Sequence, residues 1–404
     1  METPGCVIIG GGHAAAEATV ALRKEGFAGD ITVVCGEPYL PYHRPPLSKT
    51  FLADQMKPEA IFIRNGEGYA QAGVKLLLGR RATGIDPAKR SVSLDGGEEI
   101  GYGSLLIATG AVPRQLMATG VERSHVHYIR TVTDIEALRP KVKPGASAVI
   151  VGGGYIGLET AAMLRKLELE VTVIEAMTRV LQRVTAPEVS GFYERVHREE
   201  GVAIVTSAEA AEITPRSVIL TDGREIPTDI LIAGIGVTPH TELARGCGLD
   251  IREGIVIDDF CRTSDPSIFA AGDCTRFMSR HYGVGMRLES VQNANDQARV
   301  AAAVIAGRQA VYDAIPWFWS DQYELKLQIA GVSTGYDEIA VRGDIAKGRS
   351  FAAFYLKQGE IISVDAVNRG KEFMAGKRLI ANRARIPTRV LADDSVSAAE
   401  LMRM

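Results

Sequence analysis

Residues 7–24 read VIIGGGHAAAEATVALRK, and residues 149–166 read VIVGGGYIGLETAAMLRK. The two stretches lie 142 residues apart, too far for a solenoid repeat. Each has an apolar run rich in strand formers, then a glycine turn, then apolar residues at helical spacing. A second apolar run follows each, ITVV at 31–34 and VTVI at 171–174. One chain thus contains two strand–helix–strand openings. That pattern predicts two α/β folds of the mononucleotide-binding type, each built on a parallel sheet.

Glycine usage fits this reading. The chain has 42 glycines, where average usage of about 7% would give roughly 28. In the second copy, Gly152 permits the tight turn and Gly154 lets backbone approach a pyrophosphate. Gly157 lets the helix pack close to its strand, with phosphates at the helix N-terminus. The first copy has Gly10, Gly12 and Ala15, a variant in which alanine takes the packing position. One such turn is weak evidence, since strand–glycine–helix turns are common. Two in matching context carry the argument. Glu175 closes the second strand of the later copy and suits a ribose 2′-OH while repelling a 2′-phosphate, which favours NADH over NADPH. In the first copy that position is Cys35. The nearest acid is Glu37, either a ribose contact or a solvated charge at a strand end.

Three further strand-to-turn junctions stand out. Residues 105–110 read LLIATG, ending in Ala108, Thr109 and Gly110. Residues 231–236 read LIAGIG, ending in Ile235 and Gly236. Such turns suit a domain crossing or the close passage of a cofactor, and also a plain strand end. Residues 267–273 read SIFAAGD, placing Gly272 and Asp273 at a turn. Asp273 there either accepts hydrogen bonds from a polyol chain or simply forms the turn.

Composition removes other classes. With 404 residues, two or three domains are expected. A net charge of −3 leaves no large basic field, so nucleic acid is not the expected partner. No run of about 18 apolar residues marks a membrane span. The start of the chain lacks a basic segment, so no secretory signal is expected. Five cysteines, at 6, 35, 247, 261 and 274, form no C-x-x-C pair and no zinc spacing. A reduced, cytoplasmic setting without metal is therefore expected.

Together, the early GxGxxA, the ATG and GIG turns, the internal GxGxxG and the late Gly-Asp resemble the two-dinucleotide flavoprotein reductases related to glutathione reductase. Disulfide members of that superfamily carry a redox cysteine pair soon after the first strand–helix–strand unit. Here residues 41–49 read PYHRPPLSK, without a thiol. The segments RPPLSK (44–49), GGGYIGLE (152–159), RVTAPEVSGFYE (183–194), ESVQNANDQA (289–298) and PWFWSDQYELKLQIAG (316–331) look like bacterial ferredoxin reductases of haem-monooxygenase and aromatic-dioxygenase systems. This likeness runs over essentially the whole chain.

The resemblance implies an α/β fold with two Rossmann-like dinucleotide-binding domains, glutathione-reductase-like, plus a small α+β C-terminal domain. The implied division is a split FAD domain at 1–112 and 240–316, an NAD domain at 113–239 and a C-terminal domain at 317–404. Residues 317–366 are rich in strand formers and read as alternating strands, for example FAAFYL (351–356) and IISVDAV (361–367). The tail at 397–402 reads as a short helix.

The resemblance also assigns roles. FAD would be held by Gly10, Gly12, Ala14, Ala15, Glu37, Arg44, Lys49, Ala82, Ala108, Thr109, Gly110, Arg130, Gly272, Asp273, Glu289, Ser290, Val291 and Trp319. A helix starting near Ser290 and Val291 would aim its N-terminus at the flavin. NAD would be held by Gly152, Gly154, Tyr155, Ile156, Gly157, Glu159, Glu175, Ile235 and Gly236. Tyr155 is either a gate over the flavin or a packed interface aromatic. Lys49 and Glu159 would pair as the catalytic residues, and Trp319 either covers the flavin or packs in a core. The implied reaction takes hydride from NADH and passes single electrons to a [2Fe-2S] ferredoxin serving an oxygenase. Arg64, Arg299 and Lys326 are candidate basic docking residues by their position in matching segments, although each taken singly reads more readily as an ordinary surface charge. Another acceptor (rubredoxin, dehydroascorbate radical or O₂) or a redox-responsive interaction protein like apoptosis-inducing factor are the alternatives.

Overall fold

The apolar runs flanking the glycine turns form buried parallel strands. A computed structural model of the chain describes residues 5–53, 56–122 and 126–404. The described residues cluster into two units. One comprises residues up to 44 together with 56–112 and 238–316. The other comprises 45–55, 113–237 and 317–404. The short 45–55 segment therefore groups with the second unit.

In the first unit, the strands Ile268–Ala270, Ser104–Ile107, Cys6–Ile9, Ile31–Cys35 and Val74–Leu78 form a parallel sheet in that spatial order. The outermost of these pairings joins residues far apart in sequence. Cys6–Ile9 is buried at every position, as expected for a central parallel strand with both faces covered. The helices His13–Lys24 and Val291–Ile305 pack together, and Ala14, Ala18, Ala294 and Ala298 on them are all buried. Small side chains let the two axes approach closely. A separate antiparallel meander, Ala82–Asp86, Ser91–Leu94 and Glu99–Gly101, completes the unit.

The second unit repeats the plan. Ala203–Thr206, Glu170–Glu175, Ser147–Val151, Ile230–Ala233 and Val126–His127 form its parallel sheet. The helix Tyr155–Lys166 follows the glycine turn.

A five-stranded antiparallel sheet occupies most of the C-terminal part of this unit, in the order Trp317–Gln322, Leu325–Gly331, Glu360–Val367, Phe351–Lys357 and Glu338–Gly343. Two of its three inner strands do not alternate between buried and exposed as the sequence suggested. Residues 351–356 and 361–367 are buried throughout. Both faces are covered. Phe351 meets Phe192 of the Pro187–Glu199 helix at a ring distance of 4.8 Å. On the opposite face Val364 lies so close to Gly376 of the Gly370–Ala381 helix that no larger residue fits there. The tail helix, Ala398–Leu401, begins with a capping box between Ser397 and Glu400.

Candidate active site

The first glycine turn is shaped by steric exclusion. Gly10 has φ +139°, and a Cβ there would collide with the carbonyl oxygen of Ala108. Only glycine satisfies both conditions. Gly12 begins the His13–Lys24 helix with no side-chain cap, no acid in the first turn and open space on its Cβ side. With no acid in that first turn, the helix dipole there favours an anion. Gly272, at φ +89°, fits against Ala14 and Ala294, and its N–H donates to Gln297 Oε1 at 2.8 Å. The structure thus gathers Gly10, Ala14, Ala108 and Gly272 around one turn. Ala15 is buried beside them in the helix, and Asp273 follows Gly272, half-buried.

Other residues of the first unit have defined local partners. The Glu37 carboxylate accepts from Arg44 Nη2 and from the Tyr42 hydroxyl, both at 2.5 Å. The Thr109 hydroxyl donates to the His240 carbonyl at 2.6 Å, and Gly110 follows at φ +69°. Ala82 opens the meander. Ser290 caps the Val291–Ile305 helix by accepting from Asn293 N–H at 3.1 Å. Glu289 is exposed and paired with Arg287. Cys35 is buried against Gly11, and burial pushes its thiol up, as for a small core residue.

In the second unit the same exclusion recurs. Gly152 has φ +113°, and its Cβ would strike the carbonyl of Gly234. A Cβ on Gly157 would strike the carbonyl of Gly152, so the helix rests directly on its turn. Gly154 begins the helix uncapped, with open space beside it. Glu175 ends its strand with Oε2 accepting from Gly153 N–H at 2.7 Å and Oε1 from Met177 N–H at 2.8 Å. The acid read as a ribose contact therefore also braces the glycine turn. Ile156, at the helix start, is 46% exposed. Ile235 and Gly236 are half-buried, with Gly236 at φ +98°. The Tyr155 ring meets that of Phe318 at 5.0 Å, tilted by 41°, while its hydroxyl is buried without a partner. Phe318 in turn neighbours Trp319, which is half-buried next to Trp317. Arg130 lies just before the Val132–Leu138 helix, where its N–H donates to Asp134.

Lys49 and Glu159 come together although 110 residues separate them. Lys49 Nζ lies 2.5 Å from Glu159 Oε2, and Glu159 is buried. Two hydroxyls that the sequence analysis did not assign complete the site. Ser48 Oγ donates to Oε2 and Ser320 Oγ to Oε1, each at 2.7 Å. Both serines stand in segments singled out for their resemblance, RPPLSK and PWFWSDQYE, but nothing in one sequence shows where their side chains meet. Three donors on one buried carboxylate satisfy the requirement that a buried charge be paired and hydrogen-bonded.

Of the basic residues considered for docking, Lys326 is exposed and Arg64 half-buried. Arg299 is already ion-paired to Glu17 at 2.6 Å and to Asp296 at 2.9 Å.

Family comparison agrees with this geometry. Residues 4–298 match the family described as pyridine nucleotide-disulphide oxidoreductase, and residues 317–402 match the reductase C-terminal family. The chain belongs to the pyridine nucleotide-disulphide oxidoreductase family. It is 42% identical to putidaredoxin reductase of Pseudomonas putida, over 98% of this chain and 96% of that protein. It is also 42% identical to the ferredoxin reductase subunit of a 5,5'-dehydrodivanillate O-demethylase from a Sphingobium species, over 98% of each. Among solved structures, the reductase in the covalent putidaredoxin reductase–putidaredoxin complex superposes with a TM-score of 0.96 at 40% identity. That match covers 100% of this chain and 99% of the other.

FAD and NAD(H) are the cofactors of this family, and the turns fit them. Both glycine turns combine a position where a Cβ is forbidden with an uncapped helix start beside open space. A dinucleotide's pyrophosphate requires that combination. Among the described residues no helix is long and apolar enough to cross a membrane.

Proposed function

We propose that this protein transfers electrons from NADH, through FAD, to a [2Fe-2S] ferredoxin that supplies a haem monooxygenase or a related oxygenase. The balanced reaction is NADH plus two oxidised ferredoxins giving NAD⁺, two reduced ferredoxins and a proton. The observation that carries this reading is the Lys49–Glu159 pair at 2.5 Å. A lysine anchored on a buried carboxylate stands in the segment where disulfide reductases keep redox cysteines. All five cysteines are free, and four are buried.

FAD, when bound, accepts two electrons together as hydride and releases them one at a time. The residues of the chain position and screen. Gly10, Gly12, Ala14 and Ala15 would admit the FAD diphosphate at the first helix start, with Glu37 and Arg44 at its ribose. Ala82, Ala108, Thr109, Gly110, Arg130, Gly272, Asp273, Glu289, Ser290, Val291 and Trp319 would line the remainder. Gly152, Gly154, Tyr155, Ile156, Gly157, Ile235 and Gly236 would receive NADH, with Glu175 selecting the unphosphorylated ribose. Lys49 holds a fixed positive charge that favours negative charge developing beside it.

The ferredoxin would dock through Arg64 and Lys326. Arg299 suits this less well, because Glu17 and Asp296 already neutralise it. The split FAD domain, inserted NAD domain and C-terminal domain, and a cytoplasmic setting supported by the free cysteines, belong to the same proposal. Anaerobic titration with NADH tests it. The yellow protein should bleach with one equivalent and regain colour on adding oxidised ferredoxin. A colourless preparation that takes up no FAD would contradict it.

A further inference from the structure

The donors that hold Glu159 do not end at Ser320. Ser320 Oγ accepts from Gln322 Nε2 at 3.1 Å. Gln322 Oε1 lies 2.8 Å from His197 Nε2, and His197 Nδ1 lies 3.1 Å from the Tyr323 hydroxyl. Ser320, Gln322 and His197 are each at most 1% exposed. His197 projects from the Pro187–Glu199 helix. The other three sit on or beside the Trp317–Gln322 strand.

A serine has one hydroxyl hydrogen and a glutamine amide can flip, so this row has two self-consistent directions. In the first, Tyr323 donates to His197 Nδ1, His197 Nε2–H donates to Gln322 Oε1, Gln322 Nε2–H donates to Ser320, and Ser320 donates to Glu159. In the reverse, Ser320 gives its hydrogen to the amide oxygen and faces Glu159 Oε1 across 2.7 Å with no hydrogen between them. Two oxygens so placed repel, and a buried carboxylate loses a charge-assisted hydrogen bond. The first direction therefore holds.

We propose that His197 is a positioning residue for the Lys49–Glu159 pair. It acts through Gln322 and Ser320, with its Nε2–H tautomer fixing the hydroxyl of Ser320 toward Glu159. The inference rests on the proposed NADH reaction only for its kinetic consequence. The groups facing His197 are Gln322, Tyr323 and the carboxylate of Glu200. Burial drives the imidazole pKa down to about 4. It stays neutral near pH 7, where the tautomer carries the information.

Two measurements on the whole protein test this. The first needs no turnover: nitrogen NMR of the histidine rings should show His197 protonated on Nε2 and bare on Nδ1. The opposite tautomer overturns the proposal, whatever substrate the protein uses. The second uses Gln322→Glu, a near-isosteric change whose carboxylate accepts from both His197 and Ser320 and so draws the hydrogen off Glu159. Anaerobic stopped-flow should show reduction by NADH slowed roughly tenfold, as for loss of one hydrogen bond to a charged group, with NADH affinity little changed. His197→Gln, which can still donate to Gln322, should retain most of the rate, while His197→Phe should not. Wild-type rates in a folded Gln322→Glu protein, or equal rates for the two His197 variants, overturn the proposal. A wild-type protein that NADH cannot reduce would instead remove the proposed function and leave the tautomer result standing.

Discussion

Lys49 Nζ and Glu159 Oε2 lie 2.5 Å apart, yet the two side chains are unequally buried. Lys49 retains 17% exposure and Glu159 only 2%. Breaking the pair should therefore be asymmetric. Lys49→Met leaves a buried carboxylate with only two hydroxyl donors, for an expected loss of about 3 kcal/mol. Glu159→Gln leaves a lysine that can turn toward water, for an expected loss of about 1 kcal/mol. Urea unfolding of the two variants measures the difference, and equal losses would contradict the burial argument.

The glycines separate into those that must be glycine and those that need not be. Gly10→Ala forces a Cβ into the Ala108 carbonyl at a backbone angle alanine avoids. The purified variant should lack bound FAD. Gly191 sits on the exposed side of the Pro187–Glu199 helix with nothing near its Cβ position. Gly191→Ala should stabilise the protein by roughly 0.5–1 kcal/mol by lowering the freedom of the unfolded chain. Flavin absorbance and thermal unfolding distinguish the two.

Glu175 both braces Gly153 and carries the argument for NADH. Glu175→Arg should shift the ratio of kcat/KM for NADH over NADPH toward NADPH by about tenfold or more, through removed repulsion and an added cation. A wild-type protein that used both cofactors equally would count against this role.

Two buried groups in the second unit should oppose each other with pH. Burial raises the Asp365 carboxyl to about 6, above its ordinary 3.8, with Thr185 and Tyr355 donating to it. The folded state thus binds this proton more readily than the unfolded one. Stability from this group falls as pH rises from about 4 to 6, by roughly 3 kcal/mol. Burial lowers His197 to about 4 from 6.5. There the unfolded state binds the proton more readily, so stability rises across nearly the same window by roughly 3 kcal/mol. The two largely cancel in the wild type. Asp365→Asn should make stability rise more steeply with pH between 4 and 6 than in the wild type, and His197→Gln should shift the slope the opposite way. Denaturant titrations at pH 4.5 and 6.5 show whether the slopes part in those directions.

What was legible in the sequence was local. The strand before each glycine turn and the helix after it follow from β-branched runs, glycine and helical spacing over some twenty residues. The structure places them at Cys6–Ile9 with His13–Lys24, and at Ser147–Val151 with Tyr155–Lys166. Side-chain partnerships between distant segments were not legible. Ser320, Gln322 and His197 are ordinary polar residues until an antiparallel sheet and the Pro187–Glu199 helix bring them face to face. Nor could alternation be read correctly in residues 351–367, because it disappears when a sheet is covered on both sides. Glu37 and Glu175 were legible as acids at strand ends. Their engagement with Tyr42, Arg44 and Gly153 depends on loop geometry that spacing does not carry.

The most direct test of the account is an electron count. Under anaerobic conditions, a limiting amount of NADH is added to catalytic protein and excess oxidised [2Fe-2S] ferredoxin, and the ferredoxin's visible absorbance is followed. Two ferredoxins reduced per NADH consumed is the expected result. NADH oxidised without ferredoxin reduction, or no oxidation at all by the FAD-loaded protein, would contradict it.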